Sequence, residues 1–112
     1  MTWPVRSKRL GLYGGAPTAN VFVSLGTVPS GKTWLVKDWS AYNSAGAGRN
    51  VFLMVKVSGV TYVVDYVNGL VNTSVAGNSN RHIVLNAGEE IGFQSSTNAA
   101  NLYVQVSGAQ LG

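Results

Sequence analysis

Cysteine is absent from the chain, and with it go disulfide frameworks, thiolate metal sites and any cysteine nucleophile. Charge is nearly as scarce: only 11% of the residues are Asp, Glu, Lys or Arg, against roughly 25% in an ordinary soluble domain. Strong helix formers are few, with four Lys, two Glu and two Met in 112 residues. No segment carries an apolar stripe at helical spacing for any useful length. No apolar run approaches the roughly 20 residues of a membrane helix, so no membrane partner is expected. The start, MTWPVRSKRLG, is basic without a following apolar core, so no secretory signal is expected either.

What fills the space is apolar and small. Apolar residues reach 46%, valine is abundant, and Gly, Asn, Ser and Thr make up most of the remainder. Valine favours pleated, half-buried backbone. A chain of 112 residues is about one domain and can bury a core without covalent help. Its weakly charged surface offers little electrostatic resistance to association, which suits a subunit better than a solitary monomer.

Eight segments read as strands: RLGLY (9–13), NVFVSLG (20–26), TWLVKDWSAY (33–42), NVFLMVKVS (50–58), VTYVVDYV (60–67), RHIVL (81–85), EIGFQSS (90–96) and NLYVQVSG (101–108). Turn-forming residues separate them, and NGLVNTSVAGNSN (68–80) reads as a loop. The expectation is an all-β antiparallel β-sandwich, jelly-roll-like, with about eight strands and no substantial helix. Residues 1–19 form an N-terminal basic arm with the first short strand, and 20–112 a single sandwich domain. Two internal echoes support strand-to-strand turns. VPSGKTW (28–34) and LNAGEEI (85–91) share one design, and VKVSGV (55–60) and VQVSGA (104–109) both read as strands ending at Ser-Gly.

One stretch invites an enzymatic reading. GTVPSGKT (26–33) fits the phosphate-loop pattern G-x-x-x-x-G-K-[S/T], and the apolar run VTYVVD supplies Asp65 further on. A phosphate loop works by leaving a parallel strand and opening a helix, whose N-terminal N–H groups hold the phosphates. Here TWLVKDWSAYN follows, which is a strand, and Pro29 lacks an N–H the loop would need. Asp65 reads instead as an outward polar position, and no nucleotide is expected.

Other chemistry is thin. Glu89 and Glu90 are adjacent and point to opposite faces of a strand, and nothing brings Asp38 to Asp65. His82 is the only histidine, so a nucleophilic triad or a metal site lacks partners. The expectation is a non-enzyme, with no catalytic, cofactor-binding or metal-ligating residue.

Aromatic side chains say more. If Val51, Leu53, Val55 and Val57 face inward, then Phe52, Met54 and Lys56 face outward. The same parity buries Val21, Val23 and Leu25 while exposing Phe22. It also buries Leu102, Val104 and Val106 while exposing Tyr103. Phe22, Phe52, Met54 and Tyr103 together are more outward apolar surface than a monomer should show, which makes them candidates for an oligomer interface. Exposed Trp34, Tyr42 and Tyr66 offer an alternative, a sugar- or receptor-binding platform. Three of the eight basic residues fall in the first nine positions. Trp3, Arg6, Lys8 and Arg9 are therefore candidates for docking an arm on an acidic neighbour. Nothing beyond the arm forms the basic, aromatic-interleaved face of a nucleic-acid binder.

Two long runs carry a resemblance. VPSGKTWLVKDWSAYNSAGAGRNVFLMV contains VPxGKTxxVKxxxxxNxxG, and VLNAGEEIGFQSSTNAANLYVQVSGAQL contains LxxGExI followed by NLxVxVSGxxL. Over roughly residues 20 to 111 the chain resembles small β-sandwich virion structural proteins of tailed bacteriophages, of the capsid-decorating, head-fibre or tail accessory type. The resemblance implies a homo-oligomer, often a trimer. Its partners would be its own copies and the major capsid protein or a neighbouring virion protein. Its place would be the virion, assembled in the host cytoplasm. It implies no active-site residue, and the alternative is a carbohydrate- or receptor-binding module of a phage tail.

Overall fold

The computed structural model of the chain describes residues 8–43, 49–70, 74–78, 82–96 and 101–112. Among them are nine strands and no helix: β1 (Lys8–Gly15), β2 (Val23–Thr27), β3 (Thr33–Asn43), β4 (Arg49–Val57), β5 (Val60–Leu70), β6 (Ser74–Asn78), β7 (Ile83–Asn86), β8 (Glu90–Ser95) and β9 (Leu102–Leu111). Sheet A has the order β1-β9-β3-β6, with β7 also on β3, and sheet B the order β2-β8-β4-β5. Every pairing is antiparallel.

The pairings nest. β4 pairs with β5, β3 with β6 and β7, β2 with β8, and β1 with β9. The chain is thus one long hairpin, wound so that β9 also lies against β3 and β8 against β4. That winding is a jelly roll. β6 runs beside residues 39–43 of β3 and β7 beside 33–36, so the two share one sheet position and nine strands fill eight places. β6 lies inside the stretch expected to be loop; its five residues, SVAGN, are too short and too small to register as alternation. β1, the first short strand, is the edge strand of sheet A and part of the sandwich.

The two sheets bury a layer built from Val36, Trp39 and Ala41 of β3, Val51, Leu53 and Val55 of β4, Ile91 and Phe93 of β8, and Leu102, Val104 and Val106 of β9. Each of the Val, Leu, Ile and Phe side chains among them contributes about 1.5–3 kcal/mol by leaving water. The Tyr13 ring meets Phe93 at 5.1 Å between centroids.

Two bulges overturn expectations based on strict alternation. In β3, Val36 pairs with Gly108 but Asp38 with Ser107, so Lys37 is an extra residue. The slip changes parity: Trp34 and Val36 face inward before it, Trp39, Ala41 and Asn43 after it. Trp34 is therefore only 6% exposed, not on the face of Tyr42, and donates its indole N–H to Gln110 Oε1 at 2.9 Å. Gly108 lies opposite, where an added Cβ would stand 1.9 Å from the Leu35 carbonyl oxygen. Ser107–Gly108 therefore sits within β9 and does not end it, contrary to the second echo.

The other bulge falls in β5. Leu53 pairs with Asp65 and Met54 with Val63, leaving Val64 over. Asp65 turns inward instead of outward and is 8% exposed. Its Oδ2 accepts the Trp39 indole N–H at 2.7 Å, and its Oδ1 accepts the Tyr66 backbone N–H at 2.9 Å.

The first echo is a matched pair of turns. Lys32 N–H donates to Pro29 O at 3.1 Å and Glu89 N–H to Asn86 O at 3.0 Å. Gly31 and Gly88 take the third positions with φ of +77° and +87°, as type II turns require. The turns dock on each other, since Val28 N–H donates to Glu89 O and Gly88 N–H to Val28 O. Ser58 and Gly59 close the β4–β5 hairpin with φ of 51° and 81°, the geometry of a type I′ turn.

Candidate interaction faces

On the outer face of sheet B, register sets three rows: Tyr66–Phe52–Gln94, Val63–Met54–Gly92–Ser24 and Thr61–Lys56–Glu90–Thr27. Phe22, just before β2, lays its ring over Gly92, where an added Cβ would fall 2.4 Å from the Phe22 Cζ. The Lys56 ammonium stands 5.5 Å from the centre of the same ring, a cation–π arrangement. The Phe52 and Tyr66 rings lie 6.3 Å apart. Together these side chains form an apolar strip across the sheet, with Val63 54% and Tyr66 59% exposed.

Three of the four residues expected at an interface, Phe22, Phe52 and Met54, thus converge on this face. Phe22 and Phe52 are half-buried. Met54 departs from the parity expectation: it faces outward but is 6% exposed, lying beside Gly92 under the same strip and outside the main core. Val21 departs the other way, exposed because the strand begins only at Val23. Tyr103 lies elsewhere, 45% exposed on the outer face of sheet A. Alternation alone could not join Tyr66 and Val63 to the strip, because the Val64 bulge sets their place relative to β4.

Around Tyr103 lies a concavity of about 210 Å³ lined by Leu12, Ser40, Tyr42, Tyr103, Val104 and Gln105. The rows are Leu12–Gln105–Ser40 and Gly14–Tyr103–Tyr42 across β1, β9 and β3. The tyrosine rings are 6.1 Å apart at 36°. Gln105 Nε2 donates to Ser40 Oγ at 3.0 Å.

No family model and no curated protein matches the chain.

Of the arm candidates, Lys8 and Arg9 are exposed at the start of β1, and Trp3 and Arg6 lie outside the described residues. His82 is exposed, just ahead of β7. Glu89 Oε1 accepts the Asn86 backbone N–H at 2.8 Å and so braces its own turn. Among the described residues no three His, Cys, Asp or Glu side chains gather as metal ligands, and no helix is long and apolar enough to cross a membrane. In GTVPSGKT, Gly31 sits in the turn, Thr33 opens a strand, and Lys32 Nζ donates to the Gly112 backbone oxygen at 2.7 Å.

Proposed function

We propose that the chain is a non-enzymatic structural subunit that assembles with copies of itself on a phage particle, as a capsid decoration, minor capsid or accessory protein. The observation that carries this reading is the apolar strip of sheet B, where Tyr66, Val63, Phe52 and Phe22 lie side by side on an outer face. Contiguous exposed apolar surface is costly for a protein that stays alone and ordinary for one that is covered by a partner. A self-complementary patch repeated by symmetry closes such a surface without leaving an edge. The low charge of the chain points the same way.

The phage assignment and the trimeric state rest on the resemblance of the turn and strand signatures to those of virion proteins, and an all-β sandwich is compatible with both. The major capsid protein or a neighbouring virion protein would be the second partner, reached through the basic start of the chain. A structural role is also in keeping with the carboxyl groups of Asp65 and Glu89, which are engaged in the core and in a turn.

Sedimentation at micromolar concentration tests the reading. The wild-type chain should run as a trimer, and Tyr66→Glu and Phe52→Glu should run as folded monomers. A wild-type monomer that also fails to bind particles would sink the proposal.

A further inference from the structure

The concavity on sheet A lies on the far side of the sandwich from the apolar strip, and the assembly reading makes no use of it. Its makeup differs from that of the strip. Two tilted phenol rings form one side, Leu12 another, and the floor carries a linked amide and hydroxyl, Gln105 and Ser40. Among the described residues neither the Tyr42 nor the Tyr103 hydroxyl has a hydrogen-bond partner, and Gln105 Oε1 accepts no bond. None of the six lining residues is charged. We propose that this concavity binds one ring of a neutral saccharide.

The chemistry matches group by group. The electron-rich face of an aromatic ring attracts the positively polarised C–H bonds on the flat side of a pyranose. The tyrosine hydroxyls and Gln105 Oε1 supply donors and acceptors for the hydroxyls at its rim. A lining without charge offers no counter-charge to a carboxylate, sulfate or phosphate, so neutral sugars are the better fit. The volume, about 210 Å³, falls below the roughly 300 Å³ at which drug-sized pockets begin, which suits a single ring with its neighbours in solvent. The four residues that would do the work come from β3 and β9, the two paired central strands of sheet A, so the site is rigid before binding. Trp34, a natural candidate for such a platform from the sequence, is buried and has no part in it.

The test is a neutral-glycan array followed by saturation-transfer NMR with the best hit and, as defined probes, methyl α-glucoside and methyl β-galactoside. The expected result is binding with transfer from tyrosine protons, weakened about tenfold or more by Tyr42→Ala, Tyr103→Ala or Gln105→Ala. Val84→Ala, on the same sheet outside the concavity, should bind as wild type does. Melting curves establish that each variant is folded. Absence of any neutral-glycan hit, or hits that survive Tyr103→Ala, would overturn the proposal. So would a result in which Tyr103→Ala changes only the oligomeric state, which would assign the face to contact between copies. Because the readout is binding by one subunit, its failure leaves the sheet B interface standing, and the reverse holds too.

Discussion

Trp39 on β3 and Asp65 on β5 connect the two sheets through the core, indole Nε1 to carboxyl Oδ2 at 2.7 Å. Both side chains are inward only because each strand carries an extra residue beside them, Lys37 in β3 and Val64 in β5. Asp65→Ala should cost about 1–3 kcal/mol, since it leaves a buried indole N–H without its acceptor. In a double-mutant cycle with Trp39→Phe, the second substitution should cost less once the first is made. Urea unfolding that found the two additive within about 0.3–0.5 kcal/mol would mean that the pair does not interact.

Two glycines test different constraints. Gly31 has φ of +77° in open space, so Gly31→Ala should cost about 1–2 kcal/mol from backbone conformation alone. At Gly108 the added carbon would land 1.9 Å from the Leu35 carbonyl oxygen, which only separation of β3 from β9 can relieve. Gly108→Ala should be the more damaging of the two by denaturant midpoint. The opposite order would contradict the β3–β9 register.

Ser58 is a non-glycine residue at φ 51° in the hairpin turn. Asparagine tolerates that conformation better, and Asn-Gly is a favoured type I′ pair. Ser58→Asn should therefore stabilise the fold by about 0.5 kcal/mol, a rise of about 2 °C in melting temperature. A fall would mean that the Ser58 hydroxyl does work that its backbone angle does not reveal.

Mg·ATP and Mg·GTP should leave the melting temperature unchanged. A nucleotide present at a hundred times its Kd would add about 2.7 kcal/mol, an effect easily seen. Lys32→Ala should cost less than about 1 kcal/mol, as expected for an exposed contact. A nucleotide-dependent shift abolished by Lys32→Ala would restore the phosphate-loop reading of GTVPSGKT.

Turn chemistry was the most legible part of the sequence. PSGK and NAGE announce the same bend, and both glycines adopt the positive φ that such a turn demands. The strands also stand out wherever Val and aromatics alternate. Parity failed at the bulges, because a bulge is a property of two strands and the sequence displays one at a time. One signal was nevertheless present: an isolated glycine inside a strand pattern marks a bulge or a close backbone approach. Gly108 is such a glycine, although Ser107–Gly108 also resembles the Ser-Gly pair that ends β4. The interface residues were legible as a class, outward aromatics. Their division between two opposite faces was not, since it follows from which sheet β4 and β9 join.

Sheet order also sets the order in which the molecule can come into being. β9 stands between β1 and β3, and β8 between β2 and β4. Each sheet is therefore bridged by a strand from the last quarter of the chain. A ribosome adding about 5–20 residues per second releases β1 and β2 long before either bridging strand exists. Before then the β4–β5 hairpin can close across its two-residue turn, and β6 and β7 can join β3. Until β8 is made, Phe52, Met54, Val63 and Tyr66 are held in register by that hairpin alone, and Phe22 has no Gly92 to lie over.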